Sequence, residues 1–343
     1  MQSCSHSPAP PVDWKDILKK LMSTDQAQKE KRSAALSSVI AAVGLTSFKI
    51  IVGLLTNSLG ILAEAAHSGL DLVAAIMTYF AVRMSDRPAD REHHFGHGKV
   101  ENLSALFETG LLLLTSAWII YEAVQRLFFK SVHVEASVWS FVVMGTSIVI
   151  DYSRSRILYR AARKYNSQAL EADALHFSTD IWSSAVVILG LIGVTLAKVV
   201  PGLTWMTKAD AIAASIVALI VVYVSVQLGW RTIQALLDAA PRGLVEKVEQ
   251  AALKIPGVVD AHAVRIRSSG ALWFIDLHVN MDGSCTLNEA HAATEAIEKA
   301  ILTTIPKADV TIHVEPMEAS AVKPRSMKKG GNGKNMKKVQ DEE

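Results

Sequence analysis

The chain has 343 residues, 35 Lys and Arg against 33 Asp and Glu, and a net charge of +2, so no global field argues for a nucleic-acid partner. Its two cysteines, Cys4 and Cys285, stand outside any CxxC pair, which argues against a disulfide scaffold and against zinc held on thiolates. Half of the residues are hydrophobic and the mean hydropathy is +0.26, high for a soluble enzyme and low for a chain wholly in a bilayer, so a membrane part joined to a soluble part is expected.

The first 33 residues are polar and lack the apolar core of a cleaved secretory signal. Six apolar stretches follow, near 34–55, 58–84, 100–128, 136–160, 170–198 and 208–230. Each reaches the roughly 20 residues that a spanning helix needs. The first two are joined by the tight hairpin "TNSLG", and several of the six are interrupted, by His67, Asp71, Glu108, Asp151, His176 and Asp180. Lys29, Lys31 and Arg32 precede the first stretch. Arg83, Arg87, Arg91 and Lys99 surround the second connection, and Arg154, Arg156, Arg160, Arg163 and Lys164 flank the fourth. The opposite connections carry few basic residues (Arg126, Lys130, Lys198, Lys208), so both termini are expected in the cytoplasm.

Past Pro241 and Gly243 the pattern changes to helix, two alternating strands, a second helix that Thr286 would cap, and a third strand. The reading is therefore an α-helical membrane protein with six transmembrane helices and a C-terminal cytoplasmic α+β domain of order αββαβ, ferredoxin-like. Its expected parts are an N-terminal segment 1–33, a transmembrane domain 34–238, a cytoplasmic domain 239–317 and a Gly- and Lys-rich disordered tail 318–343.

The second and fifth stretches each carry an HxxxD pair, His67 with Asp71 and His176 with Asp180. Four residues is about one helical turn, so each pair points one way, and two such helices supply the four ligands of a tetrahedral zinc site. An isolated charge at mid-bilayer costs about 2.5–3.5 kcal/mol, which a metal would offset, since two aspartates and one divalent cation sum to zero. Without metal the carboxylates repel and at least one is expected to hold a proton, so metal and protons compete. A single such pair often only hydrogen-bonds a neighbouring helix; two pairs in different stretches weaken that reading. Ser68 and Ser178 near the histidines raise a hydrolase alternative, but no nucleophile elbow and no HExxH motif is present.

The paired HxxxD motifs, the loop "SDRPADREHHFGHGKVENLSALFE" and the αββαβ domain together resemble the cation diffusion facilitator family over about residues 30–317. The resemblance implies a homodimeric divalent-metal/proton antiporter of the plasma membrane, in a lipid bilayer, exporting metal from the cytoplasm, with no enzymatic activity and no organic cofactor. It places the transport ligands on His67, Asp71, His176 and Asp180. Imidazole in the second stretch favours Zn2+, with Cd2+, Co2+ and Fe2+ as further cargoes. It places a loop metal on Asp90, His93 and His97, leaving His94 aside, and metal in the C-terminal domain on His262, His278, His291, His313 and Glu315. It pairs Lys99 with Asp238 as a charge interlock. The loop "YRAARKYNSQALEAD" lacks histidine, which fits a bacterial-type member. A membrane zinc sensor or scaffold that binds without transport has the same site residues, and only flux separates the two.

Overall fold

The computed structural model describes residues 14–128, 138–199 and 206–317; the first thirteen residues, Lys130 and the expected tail 318–343 lie outside these. Six long helices come first: α1 (Trp14–Leu55), α2 (Leu59–Ser85), α3 (Lys99–Phe128), α4 (Val138–Tyr165), α5 (Gln168–Val199) and α6 (Met206–Leu236). Then follow α7 (Leu244–Ala252), β1 (Val258–Ser269), β2 (Leu272–Asp282), α8 (Leu287–Thr304) and β3 (Ala308–Met317). The chain divides into two compact units, essentially the six-helix part and the part from Gly243 onward, with strand stretches 266–275 and 307–309 assigned to the first.

Three of the helix ends share one device. Asn57, Asn166 and Asp238 take positive φ of 50°, 52° and 59° just past α1, α4 and α6. The following amide then reaches back five residues: Ser58 N–H donates to Gly53 O at 3.1 Å, Ser167 to Ala162 O at 3.1 Å and Ala239 to Gln234 O at 2.9 Å. Asn and Asp tolerate the left-handed region better than most side chains, and this motif satisfies otherwise orphaned carbonyls. In "TNS" and "YNS" the next residue is a serine whose hydroxyl accepts from the new helix, from Ile61 N–H and from Leu170 N–H. Thus α1–α2 and α4–α5 are antiparallel pairs joined by the same two-residue signal.

Among the described residues, four helical segments are long and apolar enough to cross a membrane: Asp25–Leu55, Ile61–Ser85, Lys99–Gln125 and Ser215–Leu236. α4 is long but carries Asp151, Arg154, Arg156, Arg160, Arg163 and Lys164, and α5 carries Glu171, Asp173, His176 and Asp180. The polarity of the bundle is inverted relative to a soluble protein. Leu55, Leu114, Trp118, Leu219, Tyr223 and Trp230 face outward, while Lys49, Asp71, Thr78, Glu108, Asp151, Arg154, Asp173 and His176 are buried. That is the arrangement a lipid solvent selects. One buried cluster joins Ala35 of α1, Val82 of α2, Leu158 and Ala162 of α4, and Ala169, Leu170, Ala174 and Phe177 of α5. A second joins Ala105 of α3, Ala172 of α5 and Leu228 of α6, where the two alanines let the helices approach closely. α1 differs from expectation: its start, expected near 34, lies at Trp14, because the run before it combines helix-forming Lys, Gln and Leu with a helical apolar period at Trp14, Ile17, Leu18, Leu21 and Met22. α6 likewise continues from the expected 230 to Leu236.

From Gly243 the expected order αββαβ is present, with the sheet in order β1-β2-β3. Trp273 N–H donates to Lys307 O at 2.9 Å and Gly283 N–H to Met317 O at 3.1 Å. Both partners advance together, so β3 runs parallel to β2 and α8 is the crossover. α8 opens with a complete capping box between Thr286 and Glu289. Ile275, Leu277, Val279 and Met281 of β2 are buried, as are Val248 and Ala252 of α7 and Ala293, Ile297 and Ile301 of α8. In β1 the inward residues change parity, from Ala261 to Ile266 and Ser268. The switch falls where Ala263 takes a φ of 52°, a left-handed bulge residue.

Candidate metal centre

The HxxxD spacing delivers its side chains to one place. Asp71 on α2 is 9% exposed and His176 on α5 is 4% exposed. His176 Nε2 lies 3.1 Å from Asp71 Oδ1 and 3.7 Å from Asp180 Oδ2. Each of the three offers a ligand atom within 4.8 Å of the others. His67 stands at the edge of this group: its Nε2 is 4.0 Å from Asp71 Oδ1, and its side chain is less buried than the other three. The helix α2 face continues with Ser68, which accepts from the buried Lys49 of α1 at 2.8 Å; Lys49 is also 3.3 Å from Glu64.

The connection between α2 and α3 folds its own cluster. Asp90 Oδ1 accepts from the amides of Glu92 and His93, at 2.9 and 2.7 Å, and lies 3.2 Å from His93 Nδ1. Its Oδ2 faces His97 Nε2 at 3.3 Å. The two amides hold the Asp90 carboxyl below the ordinary carboxylate range, so it is ionised at neutral pH. Asp90, His93 and His97 present ligand atoms within 4.8 Å. His97 is buried, and its Nδ1 has no partner among the described residues. One carboxylate and two imidazoles fit a divalent metal. His94 turns elsewhere, its Nε2 3.0 Å from the Arg91 carbonyl.

In the C-terminal unit one ligand comes from each strand. His262 Nε2 is 3.5 Å, and His278 Nδ1 2.8 Å, from the Glu315 carboxylate, and the three form a group within 4.8 Å. The hydrogen bond with His278 is the largest influence holding Glu315 below its ordinary value. The His313 ring centroid is 4.9 Å from that of His278, beside the group. His291 is not brought to it: it lies on α8, exposed, 3.6 Å from Glu295. The residue types again suit a divalent metal, with a mixed imidazole and carboxylate set. Lys99 and Asp238 do meet, at 2.8 Å, and Lys99 also reaches the Leu236 carbonyl at 3.4 Å.

Most of the chain matches known protein families, in two consecutive blocks. Residues 35–237 match the cation efflux transmembrane domain, and 240–317 match the cation efflux protein cytoplasmic domain. The chain belongs to the cation efflux family. It is a multi-pass membrane transporter with a cytoplasmic C-terminal domain, and not an enzyme. Its relatives include the cation-efflux pump FieF of Serratia proteamaculans, 32% identical over 83% of this chain and 92% of the relative. The FieF of Cronobacter sakazakii is 33% identical over 82% and 92%. Among solved structures, the metal-bound C-terminal domain of the CzcD transporter from Thermotoga maritima is 33% identical, covering 22% of this chain and 94% of that one, with a TM-score of 0.22.

Sequence reasoning does not find the polar network around the HxxxD group. Arg154 reads there as a flanking charge, Asp173 draws no notice, Asp151 stands only as an interruption of an apolar stretch, and Glu108 reads as a helix-packing or water-cavity residue rather than a base. Glu108 accepts from the Thr78 hydroxyl. The usable signal is the cost of placing four further ionisable groups in apolar helices.

Proposed function

We propose that this efflux transporter is a proton-coupled antiporter that carries Zn2+ out of the cytoplasm, with Cd2+, Co2+ and Fe2+ as further cargoes. Its transport ligands are His67, Asp71, His176 and Asp180. The observation that carries this reading is the meeting of Asp71, His176 and Asp180 from two helices in a buried interior. Four protein ligands replace the water that Zn2+ sheds, and two carboxylates neutralise its charge. Imidazole and carboxylate must lose protons to bind, so metal binding from the cytoplasm releases protons. Reprotonation of His and Asp on the outer side ejects the metal, and rocking of the bundle alternates access.

The same reading takes α1 to α6 as six spans, both termini in the cytoplasm, the cytoplasmic membrane as the location and a homodimer as the assembly. Asp90, His93 and His97 would hold a metal at the loop. His262, His278, His313 and Glu315, with His291, would serve the cytoplasmic domain, where metal tightens the dimer. Lys99 with Asp238 acts as the charge interlock, its ion pair at 2.8 Å supporting that role.

The test is zinc uptake into proteoliposomes under an imposed pH gradient, comparing the intact chain with Asp180→Ala. Gradient-driven uptake lost in the variant is the expected result. Equal flux in both would overturn the ligand assignment. Tight zinc binding by the intact chain without flux would replace the antiporter with a sensor or scaffold.

A further inference from the structure

Arg154 lies in the middle of α4, 4% exposed, and belongs to no HxxxD pair. Its Nη1 donates to Asp151 Oδ1 one turn earlier at 3.3 Å. Its Nη2 donates to the Ser38 hydroxyl of α1 at 3.1 Å. That hydroxyl in turn donates to Asp173 Oδ2 of α5 at 3.2 Å. The guanidinium carbon also lies 3.4 Å from the centre of the Phe177 ring, a stacking distance. Phe177 and Asp173 are fully buried.

These contacts bracket His176. Phe177 is the next residue and sets its ring edge-on to the imidazole, with centroids 5.4 Å apart and planes at 88°. Asp173 is three residues earlier, on the same helical face. One side chain of α4 thus holds both flanks of the histidine that faces Asp71 and Asp180, and ties them to α1. A site whose proposed ligands are drawn from two helices needs its supporting side chains locked, because small errors of orientation weaken ligation. The planar, two-armed guanidinium is suited to this, since one face lies on the ring while its edge donates in two directions. Lysine keeps the charge and loses both the stacking plane and the fork.

We propose that Arg154 is a positioning residue of the intramembrane metal site, fixing the orientation of His176 through Phe177 and through the Ser38–Asp173 bridge. The inference rests on the proposed roles of His176 and Asp180 as ligands.

The test uses the full chain in detergent. Cobalt(II) at this site is isolated as the difference in visible absorption between each protein and the same protein carrying Asp180→Ala, and zinc affinity is taken from competition against that signal. Arg154→Lys retains the charge, and Phe177→Leu retains the arginine and an apolar side chain, so the outcome does not depend on Arg154→Ala folding. Both variants are expected to shift the cobalt band and to weaken zinc at this site by about tenfold or more, the loss typical of outer-shell partners. Cobalt bound at the loop and cytoplasmic clusters should stay unchanged, which a general loss of structure would not allow. The parental band and affinity in both variants would overturn the positioning role. If Asp180→Ala itself leaves the intact chain's cobalt spectrum unchanged, the ligand reading fails, and this inference fails with it.

Discussion

Lys31 is a buried cation shared by two carboxylates, and removing it has a calculable consequence. It is 8% exposed on α1, with its Nζ 2.7 Å from Asp86 Oδ1 and 3.0 Å from Glu101 Oε1; both carboxylate side chains are 4% exposed. The two are not equally dependent on it. Asp86 has a second cation, Arg32, whose Nε is 3.1 Å from Oδ2, whereas Glu101 is otherwise held by the Ser85 hydroxyl at 2.7 Å. At an effective dielectric of about 20, an ion pair near 3 Å gains about 5–6 kcal/mol before desolvation. Desolvation cancels much of that, and stripping one partner from a buried pair typically costs about 3–5 kcal/mol because the other charge is stranded. Lys31→Met is therefore expected to destabilise the helical part by about 3–5 kcal/mol. Lys31→Met combined with Glu101→Gln should recover at least about half of that loss, since the stranded charge is gone. Unfolding in mixed micelles, followed by tryptophan fluorescence, gives the free energies of the single and double variants. A double variant no more stable than Lys31→Met alone would refute the argument that the cost lies in an uncompensated Glu101.

Two further outcomes follow from the clusters outside the helices. Asp90→Ala should weaken one equivalent of bound Co2+ by at least about tenfold, while His94→Ala leaves the count unchanged because that ring faces the Arg91 carbonyl; equilibrium dialysis of each variant checks both. Glu315 has a lowered folded value, so its stabilising contribution is present above the ordinary carboxylate range and is lost only as pH falls through the lower, folded value. It thus remains ionised at about pH 6–7, where imidazoles ordinarily take up protons. Glu315→Gln removes that charge, so it should weaken Co2+ at this cluster by about tenfold and raise the pH at which half of the bound metal is released, as a pH titration of bound Co2+ would show.

The two HxxxD pairs are readable because four-residue spacing fixes a shared helix face, and the fold then needs only to bring α2 and α5 together. The αββαβ order is readable from the change of period and from the cap at Thr286. Other features are hidden for physical reasons. The helical start at Trp14 has an apolar period of its own, Trp14, Ile17, Leu18, Leu21 and Met22, but it is too short and too interrupted by lysines to register as a roughly 20-residue apolar stretch. The bulge at Ala263 falls on a residue with no turn signal, so β1 reads as an uninterrupted alternation. Arg154 reads from sequence as one more basic residue flanking a cytoplasmic connection, and its burial depends on contacts from α1 and α5. Conversely, the resemblance draws His291 towards a group that the single chain does not assemble around it.

The cytoplasmic cluster takes His262 from β1, His278 from β2 and Glu315 from β3. Because side chains alternate along a strand, a slip of β3 by one residue against β2 would turn Glu315 to the opposite face and present Val314 or Pro316 in its place. The alternation of half-buried Val310, Ile312 and Val314 with exposed Asp309, Thr311 and His313 disfavours the same slip. On the proposed reading, metal captured here would stabilise the correctly paired sheet and give a misaligned one nothing to hold.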